Sequence, residues 1–281
     1  MAQSTTPSDS LPLPSATTHA PQTWIIIGAS RGIGLEFSRQ LLARGDQVIA
    51  VVRDPMKAAQ LWQVLGEAKT PGAGVIEQCD VTKEGDILAF ATRLKTLLAK
   101  GVRIENVILN AGVLKYPNRA TEISYADFAH HLYTNTIGPI ICAQEILKTI
   151  ASFSSPSVTP PPKKIIFISS DSGSATLFRD HEDGFGAYAA SKAALNQMLR
   201  HMAAEIRRKE EAERAKGKEG VVGGADTKQD NDACCVLALH PGEVATDMAD
   251  VELDWEVEGI IQPDESVREM LKVIEVQGAT G

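Results

Sequence analysis

The 281-residue chain is poor in cysteine, has no excess of basic charge and contains no long apolar run. Its four cysteines (Cys79, Cys142, Cys234 and Cys235) lack the spacing of a metal site or a disulfide framework, so reduced thiols in a cytoplasmic protein are expected. Six histidines form no HExxH pattern, and no metal is expected. A formal net charge of -8 argues against nucleic-acid or anionic-membrane partners, both of which select basic surfaces. No segment approaches the roughly 20 apolar residues that cross a bilayer. Residues 1–22 lack Arg and Lys and are rich in Ser, Thr and Pro. Neither a secretory nor a mitochondrial leader fits them, and disorder is expected.

What remains is a chain with 43% hydrophobic and 23% charged residues, the balance of a globular protein with one sizeable core. From residue 23 onward, short apolar runs alternate with helical patterns. Strands are expected at 24–27, 47–52, 104–109, 164–168 and 235–239, with a weaker candidate at 75–78. Helices are expected at about 33–44, 55–67, 83–100, 122–153, 186–212 and 263–276. Near-continuous apolar strands separated by helices predict a single α/β domain over 23–281, a doubly wound parallel sheet of Rossmann type. Stretches 154–162 and 209–232, Ser/Pro-rich and charged Gly-rich, read as loop insertions.

The first expected strand runs into Gly28-Ala29-Ser30-Arg31-Gly32-Ile33-Gly34 and then a helix. Glycines at this junction let backbone N–H groups and the helix N-terminus approach a pyrophosphate. Arg53 ends the second strand, where a basic residue accepts the 2′-phosphate of NADP and an acidic one would bond the ribose of NAD. Arg31 adds a second positive charge. NADP is therefore favoured over NAD, with Asp54 as the one opposing feature.

Tyr188 and Lys192 lie four residues apart at the start of a helical stretch, a spacing that places phenol and ammonium on one face. A nearby cation favours the phenolate, so the lysine is expected to draw the tyrosine pKa down.

These motifs occur in a known order. Gly28-x-x-x-Gly32-x-Gly34, Asp80-Val81, Asn110-Ala111-Gly112, Asn135, Ser170, Tyr188-x-x-x-Lys192 and Pro241-Gly242 resemble the short-chain dehydrogenases/reductases over about residues 23–276. Within that family, Tyr188 to Asn196 and His240 to Met248 look most like the small sniffer and C-factor-like carbonyl reductases. The resemblance implies that Gly28, Ser30, Arg31, Gly32, Ile33, Gly34 and Arg53 hold the cofactor. It implies that Asp80 and Val81 border the adenine, that Asn110, Ala111 and Gly112 line the cleft, and that Pro241, Gly242, Val244 and Thr246 hold the nicotinamide. Ser170 would bond a substrate carbonyl, Tyr188 would protonate it, Lys192 would bind the ribose, and Asn135 would position a water. Ser169, Ser172 and Ser174 compete with Ser170, and His181 is a lesser catalytic candidate in a polar loop.

The implied activity is NADPH-dependent reduction of a ketone or aldehyde. The alternatives are an NAD-dependent alcohol or hydroxysteroid-type dehydrogenase and a catalytically weak NADP-binding regulator. The substrate is a small molecule, and acidic residues over 250–258 disfavour a polyanionic one. Nothing after Gln277 reads as the family's usual last strand, so an exposed sheet edge is expected, with a homo-oligomer or reduced stability as its consequence.

Overall fold

Parallel strands buried on both faces leave little choice of architecture: helices must cover each side. The computed structural model describes residues 20–70, 72–153, 161–180, 183–218, 234–253 and 255–277. Six strands, β1 (Thr23–Ile27), β2 (Gln47–Val52), β3 (Gly74–Gln78), β4 (Asn106–Leu109), β5 (Lys164–Ile168) and β6 (Cys235–Leu239), form one sheet in the order β3-β2-β1-β4-β5-β6. All neighbouring pairs are parallel. The helices are α1 (Gly32–Arg44), α2 (Ala59–Gly66), α3 (Glu84–Ala99), α4 (Tyr125–Leu132), α5 (Gly138–Phe153), α6 (Gly186–Lys218) and α7 (Pro263–Val276).

Alternation along the strands divides the core in two. Ile25 and Ile27 of β1 join Phe90, Leu94, Ile146 and Leu195 on one face. Trp24 and Ile26 join Phe37, Leu41, Leu61 and Val267 on the other. Each such buried side chain contributes about 1.5–3 kcal/mol by leaving water. The helix α1 ends where Gly45 adopts φ 96°, so the Arg44-Gly45 pair closes it as its composition implies.

Four expectations need correction or completion. The weak candidate at 75–78 is a full strand, β3. The helix expected over 122–153 is two helices joined by a π-helical turn, Tyr133–Ile137. Pro139 has no N–H to give the Asn135 carbonyl, and the Gly138 N–H bonds Tyr133 O instead, five residues back. The insertion placed at 209–232 begins as helix, because α6 continues to Lys218; residues 219–232 lie outside the described residues. The strand β6 pairs only with β5 among the described residues, and its residues are half-buried apart from exposed Ala238. Most of 1–22 and of 154–162, and His181, also lie outside the described residues. No helix among the described residues is long and apolar enough to cross a membrane.

Candidate active site

The carboxyl ends of β1, β4 and β5 bring the glycine turn, the Asn110 segment and the serines together. Gly28 has φ 90°, and a Cβ there would lie 2.7 Å from Ala111 N. A Cβ on Gly34 would lie 2.1 Å from Gly28 O and 2.6 Å from Asn110 Nδ2. Both positions therefore require glycine. Asn110 Nδ2 donates to Gly28 O at 2.8 Å, so Asn110 is a brace for the turn. No side chain caps the N-terminus of α1, whose preceding residue is Arg31. Ser30 and Ile33 are half-buried in this turn.

Arg53 is exposed just past β2, and among the described residues it has no acidic partner. Asp54, the opposing feature, is occupied: its carboxylate accepts from Met56 N at 3.0 Å and lies 3.7 Å from Lys57 Nζ. Arg31 is exposed at the head of α1. Its guanidinium pairs with Asp247 at 2.8 Å, on the surface. Asp80 accepts from Thr82 N and Thr82 Oγ1 at 3.1 and 2.7 Å. Burial works against its charge, but these bonds and Lys83 hold the carboxyl below its ordinary range. The neighbouring Val81 is buried.

Over the glycine turn lies the segment after β6. Thr246 Cγ2 would be 3.3 Å from a Cβ on Gly32. Gly242 has φ 84°, Pro241 O accepts from Ser266 Oγ at 2.6 Å, and Val244 bridges to Ile261.

The pleat of β5 separates its terminal serines. Ser169 is buried and donates to Asn196 Oδ1 at 2.5 Å. Ser170 faces the Tyr188 hydroxyl, and its Oγ donates to Asp171 Oδ1 at 3.3 Å. Its Oγ also accepts from Ser172 N at 3.1 Å. Ser174 pairs with Thr176 instead. Lys192 is buried and donates to Ile168 O at 2.8 Å, with Nζ 5.7 Å from the Tyr188 ring centre.

The expected effect of the lysine on the phenol is corrected here. Burial pushes Tyr188 up to about 12, the Ser170 hydroxyl opposing this and the Glu243 and Asp171 charges adding to it. Burial pushes Lys192 down to about 8. Loss of water is the leading cause of both shifts.

Asn135, in the π-helical turn, is fully buried. Its Oδ1 accepts from Val113 N at 2.7 Å, and its Nδ2 donates to Val113 O at 2.9 Å and to Ser191 Oγ at 3.0 Å. Ser191 in turn donates to Tyr188 O at 2.7 Å. A Cβ on Gly112 would lie 3.5 Å from Asn135 Oδ1 and 3.9 Å from Lys192 Nζ, so the Asn110 segment joins the glycine turn to the catalytic candidates.

Sequence reasoning passed over Ser191, although its place three residues after Tyr188 was a helical-spacing signal. It also passed over the group Asp171, His240 and Glu243, whose side-chain ligand atoms lie within 4.8 Å of one another beside the phenol. Arg179 pairs with Asp171 at 3.1 Å.

Known proteins resemble this chain in sequence and fold. A family model described as short chain dehydrogenase matches residues 22–210. An uncharacterized oxidoreductase of Saccharomyces cerevisiae is 30% identical, covering 89% of each chain. The NADPH-bound carbonyl reductase from chicken fatty liver is 30% identical, with a TM-score of 0.69 over 90% of each chain. The carbonyl reductase Sniffer of Caenorhabditis elegans shares the fold, with a TM-score of 0.63 at 24% identity over 90% of this chain and 91% of that one. With its parallel sheet, glycine turn and Ser170, Tyr188 and Lys192 gathered at one sheet edge, the chain belongs to the short-chain dehydrogenase family and is an NAD(P)-dependent oxidoreductase.

Proposed function

We propose that the protein reduces a ketone or aldehyde carbonyl with NADPH, reversibly, with Tyr188 as the proton donor to the carbonyl oxygen. One observation carries this reading: the Tyr188 hydroxyl meets Ser170 beside the buried Lys192, at the sheet edge that also holds the glycine turn.

The residues present fit a dinucleotide. The turn excludes side chains at Gly28 and Gly34, and the α1 N-terminus keeps its first N–H groups free of side-chain caps, which suits a pyrophosphate. Arg53, with no acidic partner among the described residues, suits a 2′-phosphate. The chicken carbonyl reductase, 30% identical, is NADPH-bound, which supports the same cofactor. Bound there, NADPH supplies hydride to a carbonyl carbon. Asp80 and Val81 would border its adenine, and Pro241, Gly242, Val244 and Thr246 its nicotinamide.

The chain's own groups would do the rest. Ser170 donates a hydrogen bond to the carbonyl oxygen and stabilises charge developing there. Tyr188 delivers the proton. A phenol with a pKa of about 12 holds that proton at neutral pH, as a donor to the carbonyl oxygen must. Asp171 and Glu243 beside the phenol, and the acidic residues of 250–258, disfavour anionic substrates.

Carbonyl-dependent oxidation of NADPH and NADH over a panel of ketones and aldehydes tests the reading, with cofactor binding measured in parallel. Turnover with NADPH is expected. Tight NADPH binding without turnover on any member would overturn it in favour of a binding protein.

A further inference from the structure

We propose that Asn118 is a positioning residue that holds Tyr188 in place from the loop 113–121. The inference rests on the reading of Tyr188 as the acid. Tyr188 is the third residue of α6, in the first turn, where backbone N–H groups have no partner inside the helix. The residue before α6 is Phe185, which has no side-chain acceptor to cap them.

Asn118 does this from 70 residues away. Its Oδ1 accepts from Tyr188 N at 3.0 Å, and its backbone O accepts from Ala187 N at 3.1 Å. Its own N–H donates to Gly184 O at 2.7 Å, and its Nδ2 donates to Lys115 O at 2.7 Å. Asn118 is 2% exposed, so its own polar groups are satisfied by these partners rather than by water.

The loop that carries Asn118 is itself fixed. Lys115 N donates to Nε2 of His131, and Nδ1 of that ring donates to Asp127 O at 2.8 Å. His131 is fully buried, and burial lowers its pKa, which keeps Nε2 free to accept. At the other end, the Tyr116 and Phe185 rings lie 5.4 Å apart and Phe185 meets Trp255 at 6.0 Å. A rigid path therefore runs from α4 through Asn118 to the peptide of Tyr188. Misplacing a reacting group by about 1 Å can cost on the order of 100-fold in rate.

The test compares Asn118→Ala and Asn118→Asp in the full chain with NADPH and a reducible carbonyl. Asn118→Ala is expected to lower kcat by about tenfold or more and leave NADPH affinity within about twofold, because the cofactor turn is untouched. Asn118→Asp keeps an acceptor for the Tyr188 N–H but loses the donor to Lys115 O, and is expected to recover part of kcat. Hydrogen exchange on the wild type should show protected Ala187 and Tyr188 amides, and Asn118→Ala should unprotect that of Tyr188, whose acceptor is the lost side chain, without altering β1 or β4.

A kcat for Asn118→Ala within about twofold of wild type would overturn the proposal. So would a parallel loss of kcat, NADPH affinity and melting temperature in both variants. Should Asn118→Ala not fold, fast exchange of the wild-type Tyr188 amide overturns it alone, and slow exchange with Asn118→Asp active supports it. Tyr188→Phe is the control: activity retained there refutes the acid reading, whereas the amide exchange still reports on Asn118.

Discussion

Ser170 faces the Tyr188 hydroxyl, while its neighbour Ser169 turns through the sheet to Asn196. Two adjacent serines thus have opposite assignments, and substitution separates them. Ser170→Ala should lower kcat for carbonyl reduction by roughly 100-fold, the size of losing one oxyanion donor. Ser169→Ala should leave kcat intact and cost about 1 kcal/mol of stability through its lost bond, read from denaturant unfolding. The reverse pattern would reassign the serine.

Tyr188→Phe removes the proton and keeps the ring. It should reduce turnover by roughly 100- to 10,000-fold, the usual range for a positioned acid, with NADPH binding nearly unchanged. Fluorescence titration of NADPH beside steady-state rates checks this; equal loss of both would sink the proton-donor role.

The pH profile should belong to the lysine. Lys192 has its pKa lowered from 10.5 to about 8, so it is an ammonium below pH 8 and neutral above. Tyr188, pushed up to about 12, keeps its proton across that range. Reduction should therefore fall as pH rises through about 8, and a rate flat to pH 10 would contradict this. For stability the sign is opposite. Between about 8 and 10.5 the unfolded chain binds the extra proton, so this group's contribution to stability rises with pH. Wild type should gain relative to Lys192→Met across that window in thermal melts.

Cofactor choice should follow Arg53. Arg53→Asp removes a charged donor and places a carboxylate near a 2′-phosphate. KM for NADPH should rise by about 10- to 100-fold, as expected for hydrogen bonds to a charged group. KM for NADH should hold or fall. Unchanged preference would move 2′-phosphate recognition elsewhere.

Much of this was legible in the chain. The strands stand out because both faces of a parallel sheet are covered, which makes runs such as Trp24 to Ile27 apolar throughout. Gly28 and Gly34 are visible because close backbone approach forbids any other residue there, and Tyr188 and Lys192 because helical spacing aligns them. What spacing could not convey was solvation: the same pair reads as a lowered phenol on paper and a raised one once buried. The break at 133–137 did leave a signal in Gly138-Pro139, a pair that an unbroken helix accommodates poorly. Asn118 left none, since its bond to Tyr188 joins segments whose proximity only the folded chain creates.

The π-helical turn also governs how this region tolerates change in length. One residue removed from Tyr133–Ile137 would let the turn close as ordinary α-helix, because its wide i to i+5 loop takes up one extra residue, and α5 would keep its orientation to α4. Ile140, Ala143, Ile146 and Ile150 would stay with Phe90 and Leu94, and the change would fall on Asn135, whose bonds to Val113 and Ser191 depend on its place inside the wide turn. A deletion here would spare the core and strike the bridge to the catalytic helix alone.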